Sequence, residues 1–165
     1  MDEITYRPIG VIHSPFKQPR GTPIQPAAGR DVEGTVEVFP EYVEGLKDVD
    51  GFSHVILIYG FHLCKGFSLK VKPYLDDRLR GVFATRAPAR PNPIGMSIVR
   101  LVRAEGGTLH IRDLDIVDGT PLLDIKPYVP EFDAPDVQSV GWLQKNVDGL
   151  PKARDDGRFV DRRRG

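Results

Sequence analysis

Residues 86–96 read Arg-Ala-Pro-Ala-Arg-Pro-Asn-Pro-Ile-Gly-Met, with two arginines, one asparagine and three prolines in the first ten positions. Proline restricts its own φ and biases the preceding residue toward extended backbone. Arg90 and Asn92 each precede a proline, so their side chains leave a main chain with little freedom left to lose. Such a loop suits groups that hold a reactant in near-attack geometry. It equally suits a rigid connector between two strands. A second candidate follows at residues 113–121, where Asp113, Asp115 and Asp118 precede Gly119-Thr-Pro at a strand end. Carboxylates there accept hydrogen bonds from hydroxyls or amines, or remove a proton. The structural alternative is an Asx turn closed by Asp118-Gly119.

Other familiar chemistries lack their signatures. The sequence holds no Walker loop, no nucleophile elbow, no His-Glu-x-x-His helix and no Gly-x-Gly-x-x-Gly after a strand. The βαβ alternation of a Rossmann-type enzyme is missing too. Histidines 13, 54, 62 and 110 are too scattered to suggest a metal site, and no metal is expected. His62, at the exit of the most hydrophobic stretch, reads by itself as a satisfied structural group. Cys64, the one cysteine, excludes an intrachain disulfide and reads as a small hydrophobe. Trp142 reads as a packing anchor.

Strands must position these groups. Alternation or β-branched and aromatic content marks residues 6–13, 35–39, 69–74, 81–85 and 122–128. The stretch 53–63 reads as a buried central strand. Residues 97–103 and 108–116 form a hairpin across Glu105-Gly106-Gly107. Leu109 and Ile111 share one phase while Leu114 and Ile116 take the other, which predicts a bulge near Arg112 or Asp113. Residues 14–30, with four prolines and two glycines, form a long loop, and loops of that length in a compact domain are usually functional or disordered. A short helix is expected at 40–48, with proline in its first turn. A second is expected after Asp136, carrying Val140, Leu143 and Val147. The fold class is therefore mainly β, an antiparallel barrel or sandwich with a few short helices. One domain spans 1–150, followed by a mobile basic tail over 151–165.

The chain has 165 residues and a formal net charge of zero, which argues against a dedicated nucleic-acid binder. Local distribution differs. Residues 76–103 carry six arginines against two aspartates, and residues 152–164 carry six basic against three acidic residues. Such patches hold phosphates even on a neutral protein. The N-terminus shows no signal peptide, and the apolar run 55–61 is too short to cross a bilayer, so the cytoplasm is the expected compartment and no membrane partner is expected.

Taken together, Tyr6-Arg-Pro-Ile-Gly-Val-Ile-His-Ser-Pro15, Gly81-Val-Phe-Ala-Thr-Arg86, Arg90-Pro-Asn-Pro-Ile-Gly-Met-Ser97, Leu114-Asp-Ile-Val-Asp-Gly-Thr-Pro121 and Asp124-Ile-Lys-Pro-Tyr128 resemble the TrmO (TsaA-like) family over residues 4–132. The resemblance implies a β-barrel, non-Rossmann methyltransferase that works as a homodimer with S-adenosyl-L-methionine in a cleft. Its substrate would be the tRNA anticodon loop, where a threonylcarbamoylated adenosine at position 37 gains an N6-methyl group. Family cofactor contacts fall on Pro23, Ile24, Gln25, His62, Leu63, Arg86, Ile98, Leu114, Asp115, Ile116 and Val117. Ile24 and Leu63 stand where many relatives carry arginine and glutamine.

An acylated N6 reacts only as its proton leaves. The expected catalytic set is Asn92, Asp118 and Arg90, with Asp118 or its neighbour Asp115 receiving the proton. Asn92 would hydrogen-bond the base or carbamoyl group, while Arg86 and Arg90 hold a carboxylate or phosphate through paired hydrogen bonds. A same-fold enzyme acting on another RNA or a small molecule, and a non-catalytic RNA-binding barrel, are the competing readings.

Overall fold

The computed structural model describes residues 3–160. Its strands are β1 (Gly10–His13), β2 (Gly34–Val38), β3 (His54–Gly60), β4 (Lys70–Val71), β5 (Arg80–Gly81), β6 (Ile94–Glu105), β7 (Thr108–Arg112) and β8 (Thr120–Pro127), with one short α-helix, α1 (Pro130–Asp133). Six of them close into an antiparallel barrel in the order β1-β2-β7-β6-β3-β8, which leaves no long edge unpaired. The remaining two, β4 and β5, pair only with each other.

Period-two alternation builds the barrel core. On β3, Val55, Leu57 and Tyr59 point inward while the residues between them stay half-buried. The expected strand at 53–63 is therefore shorter and buried on one face only, because a barrel strand has one inside and one outside. Opposite it, β6 turns Gly95, Ser97, Val99 and Leu101 inward, in the register Leu57↔Ser97 and Tyr59↔Gly95. Leu57 is fully buried, so Leu57→Ala is expected to cost about 2–5 kcal/mol, read by urea denaturation.

Several elements differ from expectation for identifiable reasons. The hairpin across Gly106 and Gly107 forms as expected, both glycines having positive φ. The register shift, however, lies on β6 between Leu101 and Arg103. The phase change after Ile111 comes instead from Asp113, whose φ of 66° turns the chain as β7 ends. Aspartate tolerates that left-handed conformation better than most residues. Leu114 and Ile116 then return to the core.

The expected helix at 40–48 is a 3-10 helix, Pro40–Leu46. No helix starts at Asp136. Gly141 adopts a φ of 59°, and 3-10 turns follow at Gly141–Lys145 and Val147–Lys152. Val137 and Val140 remain exposed, so no apolar face drives a longer helix there. The expected strands at 69–74 and 81–85 shrink to β4 and β5. Pro73, which has no N–H to give a ladder, follows just after β4, and Val82–Ala84 turns as 3-10.

A second, smaller core gathers Val71, Val82, Ala87, Ala89 and Phe159 beside the barrel. Phe159 belongs to the expected basic tail, so at least that part of the tail packs against the body of the protein. Positions 161–165 of the tail lie outside the described residues.

Candidate active site

Several segments converge on one open cavity of about 420 Å³ beside the mouth of the barrel, four of them carrying residues expected at the site. The long loop brings Pro23, Ile24 and Gln25, and the exit of β3 brings Phe61, His62 and Leu63. The proline-rich loop supplies Arg86, Arg90 and Asn92, and the chain after Asp113 supplies Asp115, Ile116 and Val117. The volume falls in the range of small-molecule sites.

Asp115 is the carboxyl on this wall whose acidity burial shifts toward neutrality. Its carboxylate accepts a hydrogen bond from Ser97 Oγ at 2.6 Å. The Ser97 hydroxyl also lies 3.0 Å from the Tyr59 hydroxyl. Burial pushes the Asp115 carboxyl up to about 7, against the lowering effects of the Ser97 hydrogen bond and the Arg86 charge. The Tyr59 phenol is raised well above its ordinary value, chiefly by burial and then by the Asp115 charge. A carboxyl that exchanges its proton near neutrality, on the wall of an open cavity, is suited to general acid–base work.

Glycine at position 95 makes this arrangement possible. A Cβ there would stand 2.2 Å from the Tyr59 ring and 2.9 Å from that of Phe61. Its absence lets the Tyr59 ring lie across β6, with the hydroxyl reaching Ser97.

The two arginines have different tasks. Arg90 turns its Nη1 back on its own loop and donates to the carbonyls of Thr85 at 3.2 Å and Ala87 at 3.4 Å. Arg86 is exposed and donates to Gln25 Oε1 at 3.0 Å, tying the proline-rich loop to the long loop across the cavity. Asn92 is exposed at the rim, and its backbone carbonyl accepts from Ile94 N–H in a tight turn. Burial lowers the His62 pKa, so the imidazole is neutral at physiological pH.

Three predicted residues lie off the cavity wall. Leu114 is fully buried in the barrel core, and Ile98 sits half-buried on β6 opposite Ile56. Asp118 stands in a different cluster, where its carboxylate accepts from Lys17 Nζ at 2.8 Å and from Ser14 N–H at 3.0 Å. The Lys17 hydrogen bond leads the causes that hold its pKa below the ordinary carboxylate range. It caps the turn into the long loop.

Sequence reasoning passed over Tyr59 and Ser97. Their signal was a hydroxyl on each of two neighbouring strands at a core-facing phase, where aliphatic residues are expected. Buried hydroxyls need partners, and here they have each other and Asp115.

Known proteins carry the same architecture. The sequence profile of the tRNA-methyltransferase O N-terminal domain matches residues 11–134. A Pyrococcus abyssi protein described as a probable S-adenosyl-L-methionine-binding protein is 67% identical over 156 residues, spanning 94% of this chain and 85% of its own. The human tRNA (adenine(37)-N6)-methyltransferase is 37% identical over 135 residues, covering 78% of this chain but 31% of that protein. A crystal structure of TrmO from Pseudomonas aeruginosa superposes with a TM-score of 0.71 at 40% identity, over 86% of this chain and 63% of that one. This chain therefore belongs to the tRNA-methyltransferase O family.

Proposed function

We propose that this protein is an S-adenosylmethionine-dependent tRNA methyltransferase that adds a methyl group to N6 of adenosine 37, the adenosine already bearing threonylcarbamoyl. The observation that carries the reading is Asp115, a carboxyl near neutrality on the wall of a cavity that also presents Arg86 and Asn92. Family membership and the names of the relatives agree with it.

The cavity fits the cofactor in size and in chemistry. Its aromatic and aliphatic walls suit an adenine ring, and Arg86 suits an amino-acid carboxylate. When bound, S-adenosylmethionine supplies an electrophilic methyl group on a sulfonium. Asp115 would accept the N6 proton of the target as the methyl carbon's bond to sulfur is exchanged for the new N–C bond. Ser97 fixes the orientation of that carboxylate, and Tyr59 fixes Ser97. Asn92 hydrogen-bonds the carbamoyl group or the base edge at the rim. Arg86 holds a carboxylate, either that of the cofactor or that of the threonyl group. Arg90 stiffens the loop through its two carbonyl contacts and leaves the ligand to Arg86.

The working unit is taken to be a homodimer, as the family resemblance implies. Exposed Leu63, Ile94 and Met96 line the same cavity and offer an apolar surface for a second copy.

The test is mass spectrometry of nucleosides after incubation of tRNA with the protein and S-adenosylmethionine. One tRNA carries threonylcarbamoyladenosine and a matched transcript lacks it. Methylated product from the first alone supports the reading, product from the second alone points to another substrate, and product from neither rejects it. In the same assay, Asn92→Ala is expected to lose about tenfold to a hundredfold, the worth of a hydrogen bond to a reacting group. Asp118→Asn is expected to stay within about threefold of the parent rate, because its carboxylate serves Lys17 and Ser14.

A further inference from the structure

The span matched by the family profile ends at residue 134, yet Asp155 and Val160 help to line the cavity. Arg154 bridges to Pro23 in antiparallel fashion. Gly21 N–H donates to the Asp155 carbonyl at 2.7 Å, and Asp155 N–H donates to the Thr22 carbonyl at 2.8 Å. This segment is therefore laced to the long loop that presents Pro23, Ile24 and Gln25.

Its far end is anchored as well. Phe159 is 2% exposed and meets the Tyr74 ring edge-on at 5.2 Å. The Arg158 guanidinium lies 4.8 Å over the same ring and donates to the Pro73 carbonyl at 2.9 Å. Asp156 is occupied by Arg158 through two carboxylate oxygens. Between these anchors Asp155 lines the cavity, half-buried. Its Oδ1 accepts from Gly157 N–H at 2.6 Å. Negative charge from Asp155 also acts on the Tyr74 phenol, whose pKa is raised first by burial and then by that charge. A carboxyl group has two oxygens with several lone-pair positions, of which Gly157 N–H takes one and the neighbouring Tyr74 hydroxyl competes for another, so Asp155 keeps acceptor capacity toward the cavity.

We propose that Asp155 is a cofactor-binding residue whose carboxylate receives a hydrogen-bond donor of S-adenosylmethionine, either its ribose hydroxyls or its amino-acid ammonium. This rests on the reading above that the cavity takes that cofactor. The cavity's other carboxyl, Asp115, is engaged by Ser97 and is mostly neutral below neutrality, which suits it to the proton and not to a standing ion pair. Among the described residues, Asp155 is the remaining acid on the wall. Its backbone pairing to Gly21 and Thr22 sets its position without using its side chain.

Calorimetry on the full chain tests the assignment with two ligands. S-adenosylhomocysteine carries both donor groups, whereas 5′-methylthioadenosine keeps the ribose and lacks the amino acid. Asp155→Asn is expected to weaken S-adenosylhomocysteine about tenfold to a hundredfold, the range for a hydrogen bond to a charged group. Asp156→Asn removes an equal charge one residue away and is expected to change affinity less than about twofold. Equal weakening of both ligands by Asp155→Asn assigns the ribose, and weakening of S-adenosylhomocysteine alone assigns the ammonium. Unchanged affinity in Asp155→Asn overturns the proposal, as does an equal loss in both variants, which would mark a disturbed segment. If Asp155→Asn melts early, Asp155→Glu is the deciding variant. It keeps the charge, and partial recovery of affinity supports the proposal while none overturns it. Wild-type protein that binds neither ligand overturns the functional reading and this assignment together.

Discussion

Asp115→Asn is expected to slow single-turnover methyl transfer by about a hundredfold to ten-thousandfold, the range for losing a positioned general base. Asparagine keeps an oxygen that accepts the Ser97 hydroxyl, so the local geometry has little reason to change. What disappears is the place for the N6 proton. The pH profile is the sharper test. With a pKa of about 7, the wild-type kcat/KM should climb with pH, bend near neutrality and level off above it. His62 is the competing base, and burial pushes its pKa below 6.5, so its control would move the bend to lower pH. A profile that is flat from pH 5 to 9, with an active Asp115→Asn enzyme, would sink the assignment.

The same residue makes an opposite prediction for stability. Unfolded, Asp115 has the ordinary value of 3.8, and folded it has about 7. Between those two values the folded protein keeps a proton that the unfolded chain releases. The stability this contributes is complete below about pH 4 and is lost as pH rises through 7. Asparagine is neutral throughout and avoids that loss. Chemical denaturation should therefore find Asp115→Asn more stable than wild type at pH 8, on the order of 2–4 kcal/mol. The difference should vanish near pH 4. A slower but sturdier variant is the expected sign of a buried acid retained for chemistry.

The barrel was readable from sequence because its strands obey a local rule. Val55, Leu57 and Tyr59 share a phase, as do Val36 and Val38, and Gly106-Gly107 names its own turn. The three acids after β7 were not separable in that way. Asp113 is taken by Arg100, Asp118 by Lys17, and Asp115 meets the Ser97 hydroxyl. Two of those partners stand on the neighbouring strand β6 and the third on the long loop, so identical side chains acquire different acidities only once the chain folds. The segment 136–147 misled for the converse reason. Its apolar residues fall at helical spacing, but Val137, Val140 and Val147 stay exposed while Leu143 is half-buried, and spacing without a continuous buried face does not hold a helix. Phe159 read as part of a basic tail because its neighbours are charged. Its burial depends on Tyr74, which no local pattern announces.

How closely the long loop approaches Asp115 depends on a single hydrogen at residue 29, and Gly29→Ala is expected to damage stability and binding together. A Cβ there would stand 2.1 Å from the Leu114 carbonyl oxygen and 2.9 Å from its carbon. Those atoms are backbone, one residue before Asp115, and they cannot swing aside. The φ of Gly29 is −105°, open to alanine, so the obstacle is space and not conformation. Absent the clash, glycine to alanine would help slightly by restricting the unfolded chain. With it, the loop must lift away from the chain at 114–117. Overpacking of this kind costs about 1–3 kcal/mol. The lift would also carry Pro23, Ile24 and Gln25 outward, since they directly precede the 3-10 turn Pro26–Ala28 that Gly29 caps. Affinity for S-adenosylhomocysteine should fall about tenfold or more, as a pre-formed wall becomes one that binding must reassemble. Gly45→Ala is the control, because a Cβ there meets nothing within 4 Å. It should leave affinity unchanged and raise stability slightly, by about 0.4–1 kcal/mol. If Gly29→Ala matched wild type in urea denaturation and in calorimetry, the contact between loop and Leu114 would not be what gives the cavity its shape.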